Sequence, residues 1–203
     1  MINHRTRMMR KLNFVVLAFV ATAFTACMKD TEPFDYEAQF EREKSIISEY
    51  VATNIPDATF QESTGIWFEV LAEGEPDSYQ YKFVNKGNSL EAPIVRVKYK
   101  GVLLDGTQFD AVSDNEGMRM SLSGVIAAWQ YSFFPKEIFN DTGELVEVGG
   151  LTPGGLKKGS KIRFVTPSLW AYREYGQGKV PANAPLDFTI EVLEIEAPTP
   201  QAY

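Results

Sequence analysis

The segment VKYKGVLLDGTQFDA, residues 97–111, has the pattern of a β-hairpin. Before its Asp-Gly pair, apolar and basic residues alternate with the period of a half-buried strand, and Asp-Gly is a strong signal for a tight turn. The returning strand carries Phe109 directly before Asp110. A bulky aromatic ring and a carboxylate are therefore expected side by side, within reach of Tyr99 on the first strand.

Strand patterns continue on both sides of this hairpin, with one helix between them. The helix is predicted over residues 125–134, where Ile126, Trp129 and Phe133 have helical spacing and Pro135 ends it. A curved antiparallel sheet wrapped around one short helix is the simplest arrangement of these elements, so the predicted fold class is α+β. The strand segments are GIWFEVLAEG (65–74), YQYKF (79–83), IVRVKYKGVLL (94–104), TQFDA (107–111), SKIRFVTP (160–167) and LDFTIEVLEIE (186–196).

A second helix is predicted over residues 36–51, ahead of the strands. One of its faces is apolar, whereas the glutamates and Lys44 are expected to face away from that side. Such a helix either packs on its own domain or forms the contact of a homodimer. The apolar face comprises Phe40, Ile46, Ile47, Tyr50 and Val51.

Residues 1–26 have the layout of an export signal peptide. Residues 1–13 carry four Lys or Arg and no acid, and residues 14–26 are apolar or small. This apolar run is shorter than the roughly 20 residues that a helix needs to cross a bilayer. The sequence Thr-Ala-Cys that ends at Cys27 resembles the lipobox of bacterial lipoproteins, which implies a lipid anchor on Cys27. A plain secretory signal is the alternative.

Residues 27–35 are acidic and contain a proline, which is typical of an extended tether between a membrane and a folded body. Within it, Lys-Asp-Thr-Glu at residues 29–32 resembles the surface-export signals of lipoproteins in the Bacteroides group. The expected location is therefore the cell envelope, with the lipid in the outer membrane. The protein would face either the periplasm or the cell surface.

The charge and the residue types of the mature chain exclude several classes of function. Without residues 1–26, the chain keeps 16 basic and 27 acidic residues, a net charge of −11, which repels phosphate backbones. The single histidine, His4, leaves with the signal, and the single cysteine is Cys27. Histidine- or cysteine-based catalysis and zinc sites built on those side chains are thereby excluded. No nucleic acid partner is expected, and carboxylate chemistry, oxygen-ligated metals or catalysis without a titrating group remain open.

Six motifs in order resemble the FKBP-type peptidyl-prolyl cis-trans isomerases. They are TGIWFEVLAEG, VKYKGVLLDGTQFD, VIAAW, LKKGSKIRFVTP, LWAY and VPANAPLDFTIEV. The resemblance covers residues 63–196 and implies a half-wrapped antiparallel sheet around one short helix. Residues 36–62 would then form the N-terminal helix and a connection, and residues 197–203 a C-terminal tail.

The resemblance also implies a pocket between sheet and helix that receives a proline ring. Trp129 would be its floor, and Asp110 would lie at the rim, held by the Tyr99 hydroxyl. The Ile126 N–H and the Tyr172 hydroxyl would bind peptide carbonyls. The implied catalytic set is Tyr99, Phe109, Asp110, Ile126, Trp129 and Tyr172, and the implied substrate-binding set is Met118, Met120, Val125, Val180 and Phe188.

Rotation about an Xaa-Pro bond needs no acid, base, nucleophile or metal, which suits a mature chain without histidine or thiol, and no cofactor is expected for it. The implied function is an isomerase in the cell envelope that assists folding of exported, proline-containing clients. The alternative is a non-catalytic lipoprotein of the same fold that binds another envelope protein through its pocket or its insertion.

Two departures from the family pattern bear on this choice. Met118 and Met120 stand where the family usually has aromatic residues, which makes one pocket wall softer. Residues 130–155 form an insertion with turn signals and loose alternation, so an extra hairpin or a lid beside the pocket is expected. The insertion either contributes partner specificity or is a solvated elaboration.

Overall fold

The computed structural model describes residues 34–84 and 89–198. Within these ranges no helix is long and apolar enough to span a membrane. The elements, numbered in chain order, are α1 (Tyr36–Asn54), β1 (Thr59–Gln61), β2 (Ile66–Ala72), β3 (Phe83–Val84), β4 (Ser89–Leu90), β5 (Ile94–Leu103), β6 (Gln108–Val112), β7 (Met118–Ser121), α2 (Ala127–Phe133), β8 (Glu137–Phe139), β9 (Leu145–Glu147), β10 (Lys161–Thr166) and β11 (Leu186–Glu196).

Seven of the described strands form one antiparallel sheet. Its order is β1-β2-β10-β11-β5-β6, and β7 pairs with the first half of β5. The long strands β5 and β11 lie at its centre, with Tyr99 opposite Ile190 and Gly101 opposite Phe188. The same Gly101 faces Asp110 on β6, so this register brings the predicted site residues of three strands together.

Helix α2 lies against this sheet and completes the core. Phe133, Phe164, Ile162 and Ile190 are fully buried, and Trp129 is 5% exposed. These side chains alternate along the strands and recur at helical spacing in α2, so each element contributes one apolar face. The predicted α+β fold, with a sheet wrapped around a short helix and a further helix before it, is confirmed.

Several elements differ from the sequence prediction. Helix α2 begins two residues later than predicted, because Ile126 is extended (φ −61°, ψ 153°) and acts as the N-cap. In the predicted strand 79–83 only Phe83 is in a strand, since Tyr79 and Tyr81 are instead buried against each other in a coil. The short strands β1 and β7 carry too few residues for alternation to reveal them.

The insertion 130–155 contains the expected hairpin. Strands β8 and β9 pair with Ile138 opposite Val146 and Phe139 opposite Leu145. Ile138 faces the core, whereas Phe139 is 68% exposed and Leu145 is 48% exposed. The insertion therefore closes part of the core and leaves an apolar pair on its surface.

Helix α1 extends three residues beyond the predicted end at Val51. Asp35 caps it by accepting a 2.9 Å hydrogen bond from the Ala38 N–H. Ile47 and Val51 pack with Val165 of β10. Helix α1 therefore packs on its own domain, which is one of the two alternatives expected from the sequence. A homodimer through residues 36–51 stays a prediction.

The expectation that the glutamates of α1 all face away from the apolar side is wrong for Glu43. Its side chain is 1% exposed, whereas Ile46, placed on the apolar face by its spacing, is 53% exposed. The Glu43 carboxylate accepts hydrogen bonds from the backbone N–H and the hydroxyl of Ser168, at 2.7 Å and 2.5 Å. Helical periodicity assigns charged residues to the solvent-exposed face. It gives no information about hydrogen-bond partners that lie far away in the sequence.

A second buried carboxylate, Asp187 of β11, also ties α1 to the sheet. Asp187 is 2% exposed and accepts hydrogen bonds from Arg163 Nη2 at 2.7 Å and from the Tyr50 hydroxyl at 2.8 Å. Arg163 also donates to the Asn54 carbonyl at 3.1 Å, which holds the C-terminal turn of α1. Burial, and then the bond to Asp187, raises the pKa of Tyr50 to about 12.

Tyr50→Phe tests this network. A pKa raised in the folded state means that the neutral phenol stabilises the fold at pH values below its unfolded pKa, near 10. This contribution is lost as the pH rises towards 12. The wild type should exceed the variant in free energy of unfolding by about 1 kcal/mol at pH 8.

That difference should shrink by pH 11.5, as measured by urea denaturation at both pH values. A difference that is constant or grows with pH would contradict the assignment.

Candidate functional site

A cavity of about 240 Å³ lies between the sheet and the N-terminal end of α2. Of the residues that line it, strand β5 contributes one, β6 two and β11 one, and the turn before α2 contributes three. The lining consists of Tyr99, Phe109, Asp110, Met120, Gly124, Val125, Ile126, Trp129, Tyr172, Gln177 and Phe188. All six residues of the predicted catalytic set are among them, together with Met120, Val125 and Phe188 of the substrate-binding set.

Aromatic rings packed edge to face form the body of this cavity. The Trp129 ring centroid is 5.1 Å from that of Tyr99 and 5.8 Å from that of Phe188, with interplanar angles of 79° and 87°. Phe109 packs on Phe188 at 5.5 Å and 88°. Since such pairs are attractive beyond their buried area, each ring fixes the orientation of the next. The result is an aromatic box with Trp129 at its centre.

Gly101 makes room for one wall of the box. A Cβ atom at this position would lie 2.4 Å from Phe109 Cζ and 3.0 Å from Phe188 Cε1. Any larger residue would therefore displace the Phe109 ring from its place over strand β5. This role was not predicted from the sequence. A glycine in a strand indicates that other atoms approach closely, but does not identify them.

At the rim, the Tyr99 hydroxyl donates a 2.7 Å hydrogen bond to Asp110 Oδ2, as the resemblance implied. Burial, followed by this bond, raises the pKa of Tyr99 well above that of a free tyrosine. Burial and the negative charge of Asp110 also raise the pKa of Tyr172. Both phenols thus keep their protons at neutral pH, and the Tyr172 hydroxyl is a donor.

Two predicted substrate-binding residues do not line the cavity. Met118 begins β7 opposite Val97 and is 42% exposed, whereas Met120, one strand period further on, reaches the cavity. Val180 is 5% exposed and packs into the core. Its backbone exchanges hydrogen bonds with Gln177, at 2.9 Å and 2.8 Å, and the Gln177 side of this turn faces the cavity.

The insertion does not line this cavity. None of the described residues of 130–155 belongs to the lining of the cavity, and strand β8 lines a different depression, together with Tyr81 and Pro153. Gly124 and Gln177, which were not predicted as site residues, do line the cavity. Neither could be identified from the sequence, because Gly124 has no side chain and Gln177 lies in an irregular turn.

In the described ranges, no three acidic side chains converge as a metal site would require. The chemistry that the cavity offers is an apolar, aromatic enclosure with a phenol donor, a carboxylate at the rim and backbone groups before α2. Such a site binds a small apolar ring and polar groups attached to it.

The sequence is similar to curated FKBP-type peptidyl-prolyl cis-trans isomerases named FkpA. The protein from Aeromonas hydrophila is 37% identical over 122 residues, which are 59% of this chain and 38% of the relative. The protein from Escherichia coli K12 is 27% identical over 169 residues, which are 83% of this chain and 46% of the relative. The chain thus spans less than half the length of these relatives. No protein-family model matches it.

The structure is similar to the crystal structure of FkpA from Escherichia coli, with a TM-score of 0.53 and 24% identity over 79% of this chain and 61% of that one. The chain has the FKBP fold. A peptidyl-prolyl isomerase structure from Pseudomonas syringae agrees, with a TM-score of 0.50 and 24% identity over 80% of this chain and 97% of that one. The resemblance to FKBP-type isomerases read from the motifs is thereby confirmed at the level of fold and sequence similarity.

Gly101→Ala should disturb this cavity, although the substitution adds only one methyl group. The added methyl group overlaps Phe109, so the variant should lose about 1–3 kcal/mol of unfolding free energy by overpacking.

Gly154→Ala is the matched control, because nothing lies within 4 Å of a Cβ there. It should change stability by less than about 0.5 kcal/mol. Urea denaturation of both variants provides the test, and equal stability of the two would refute the role of Gly101.

Proposed function

We propose that this chain catalyses cis-trans isomerisation of Xaa-Pro peptide bonds. The observation that carries the proposal is the aromatic box around Trp129, bordered by the Tyr99–Asp110 hydrogen bond. A proline ring is small, apolar and rigid, and fits an enclosure of about 240 Å³. The similarity to curated FKBP-type isomerases supports the same conclusion.

The chemistry follows from the resonance of the amide. Rotation about the Xaa-Pro bond crosses a barrier of about 18–20 kcal/mol, because resonance gives the C–N bond partial double-bond character. The charge-separated resonance form prefers water, so moving the amide into an apolar cavity weakens the double-bond character. The uncatalysed exchange takes tens to hundreds of seconds, which leaves room for acceleration.

Donors at the cavity would favour the twisted amide. We assign the Tyr172 hydroxyl and the Ile126 N–H to peptide carbonyls on either side of the proline. Groups that bind more tightly to the twisted geometry than to the planar one lower the barrier. The raised pKa of Tyr172 keeps this donor protonated. Asp110 fixes the Tyr99 ring as a wall and needs no proton transfer.

Envelope attachment belongs to the same proposal. We assign residues 1–26 as a signal peptide and Cys27 as the lipidated residue, both outside the described residues. Residues 27–35 would tether the domain that starts at α1 to the outer membrane. The clients would be exported proteins with Xaa-Pro bonds, met on the periplasmic or the outer side.

A second cavity favours the alternative of a binding protein. It measures about 570 Å³ and has no lining residue in common with the first. The insertion supplies Lys136 and residues 151–155 of its lining, opposite Phe68 and Val70 of β2. Together with the exposed Phe139 and the neighbouring depression, this surface could hold an envelope protein without any catalysis.

The proposed activity is tested by NMR exchange spectroscopy on a short Xaa-Pro peptide, with residues 28–203 and with Phe109→Ala. The loss of one wall should lower kcat/KM about 10- to 100-fold, since burying a Phe side chain contributes about 1.5–3 kcal/mol. Phe60→Ala is the control, because Phe60 is 42% exposed and packs on Trp67, outside the cavity. Absence of acceleration by the intact chain would refute the isomerase.

A double variant, Phe139→Ser with Leu145→Ser, separates the two candidates. Both side chains are exposed and outside the catalytic cavity, so the exchange rate should equal that of the wild type. Capture of an envelope partner should weaken if the insertion binds it. A fall in the exchange rate would show that the hairpin belongs to the isomerase site after all.

A further inference from the structure

Glu43 of helix α1 is a fully buried carboxylate that the proposed chemistry does not use. Oε2 accepts from the Ser168 N–H at 2.7 Å, and Oε1 accepts from the Ser168 hydroxyl at 2.5 Å and from Gln39 Nε2 at 2.6 Å. Residues 43 and 168 are 125 positions apart. A charge is seldom buried unless its hydrogen bonds are complete, and this one is completed largely by a single distant residue.

Ser168 begins the segment that carries Tyr172 to the cavity. It opens a 3-10 turn, Ser168–Trp170, and a second 3-10 turn, Arg173–Tyr175, directly follows Tyr172. The Ser168 carbonyl accepts from the Ala171 N–H at 2.9 Å, and the Arg173 Nε donates to the Leu169 carbonyl at 3.1 Å. The Arg173–Leu169 bond joins the two turns on either side of Tyr172, so Ser168 and Tyr172 belong to one hydrogen-bonded segment.

This segment also holds an unfavourable backbone conformation. Arg173 has φ = 50°, in the left-handed region that residues with a Cβ rarely adopt. Such a conformation persists only where the surroundings fix it. Asn183, itself at φ = 58°, donates its N–H to the Arg173 carbonyl at 2.7 Å. Further anchors come from α1.

The first turn of α1 binds the far end of the same segment. The Tyr36 hydroxyl donates to Glu174 Oε1 at 2.8 Å, and the Arg173 guanidinium lies 5.7 Å from the centre of the Tyr36 ring. Tyr36 and Glu43 are seven residues apart and therefore lie on one side of the helix. The N-terminal half of α1 thus contacts both ends of the segment 168–174.

The C-terminal half of α1 is fixed separately. Val51 packs with Val165 of β10, and the Tyr50 hydroxyl binds Asp187 of β11. Helix α1 is therefore held on the sheet at one end and holds the Tyr172 segment at the other.

We propose that Glu43 is a positioning residue of the isomerase site, which sets the place of the Tyr172 hydroxyl through Ser168. The expected effect on kcat/KM rests on the proposed function, whereas the positioning of the Tyr172 side chain does not. Loss of the carboxylate leaves the N–H and the hydroxyl of Ser168 buried without an acceptor. The segment then relaxes, and Tyr172 moves away from the peptide carbonyl.

The test is a double-mutant cycle with Glu43→Ala and Tyr172→Phe, measured as kcat/KM by NMR exchange. Glu43→Ala should lower kcat/KM about tenfold in the wild type and less than twofold when Tyr172 is already Phe. Glu43→Gln keeps an acceptor for Ser168 and should restore most of the activity.

Val51→Ala is the matched control for a general loss of helix docking. It removes packing from the same helix without touching the segment 168–174. At a temperature well below the melting temperatures of Val51→Ala and Glu43→Ala, the kcat/KM of Val51→Ala should lie within twofold of the wild-type value. Equal losses in Val51→Ala and Glu43→Ala, or independent effects of Glu43→Ala and Tyr172→Phe, would overturn the inference.

A readout without turnover separates this inference from the isomerase itself. With ¹³C-labelled tyrosine, the Tyr172 ring resonances should shift in Glu43→Ala and stay in place in Val51→Ala. If the wild-type chain shows no exchange activity, the proposed function fails. A shift of the Tyr172 resonances in Glu43→Ala would still support the positioning of Tyr172 by Glu43. Unchanged Tyr172 resonances in Glu43→Ala would overturn it.

Discussion

The packing of Trp129 against Phe188 and Tyr99 is the contact on which the rest of the structure depends. Trp129 comes from the one short helix between the strands of the main sheet, and its two partners lie on the paired central strands β11 and β5. The same contact closes the core and forms the floor of the cavity. Stability and site are therefore built from the same rings, and a change at Trp129 would affect both.

Much of the architecture could be predicted because its signals are local. Alternation along the central strands, helical spacing around Trp129 and the Asp-Gly turn each depend on neighbouring residues. The proximity of Tyr99 and Asp110 followed from a single hairpin, and their hydrogen bond was implied by the family resemblance. Where two residues are joined by one turn, spacing in the sequence fixes spacing in the molecule.

The features that could not be predicted depend on distant partners. Glu43 was assigned to solvent because its buried partner Ser168 belongs to another part of the fold. The need for glycine at position 101 arises from Phe109 and Phe188, which only the folded sheet brings to it. Met118 was placed in the pocket by the family resemblance, and β7 is too short for alternation to show that only Met120 reaches the cavity.

The proposed function requires that a proline ring occupies the aromatic box. The direct measurement is a set of intermolecular NOEs between the ring protons of a bound Xaa-Pro peptide and the protein, with residues 28–203 labelled with ¹³C and ¹⁵N. For the proposed function, we expect contacts from the proline ring to the Trp129 indole and to the rings of Tyr99 and Phe109. Contacts confined to Lys136 and residues 151–155 would place the peptide in the second cavity and contradict it.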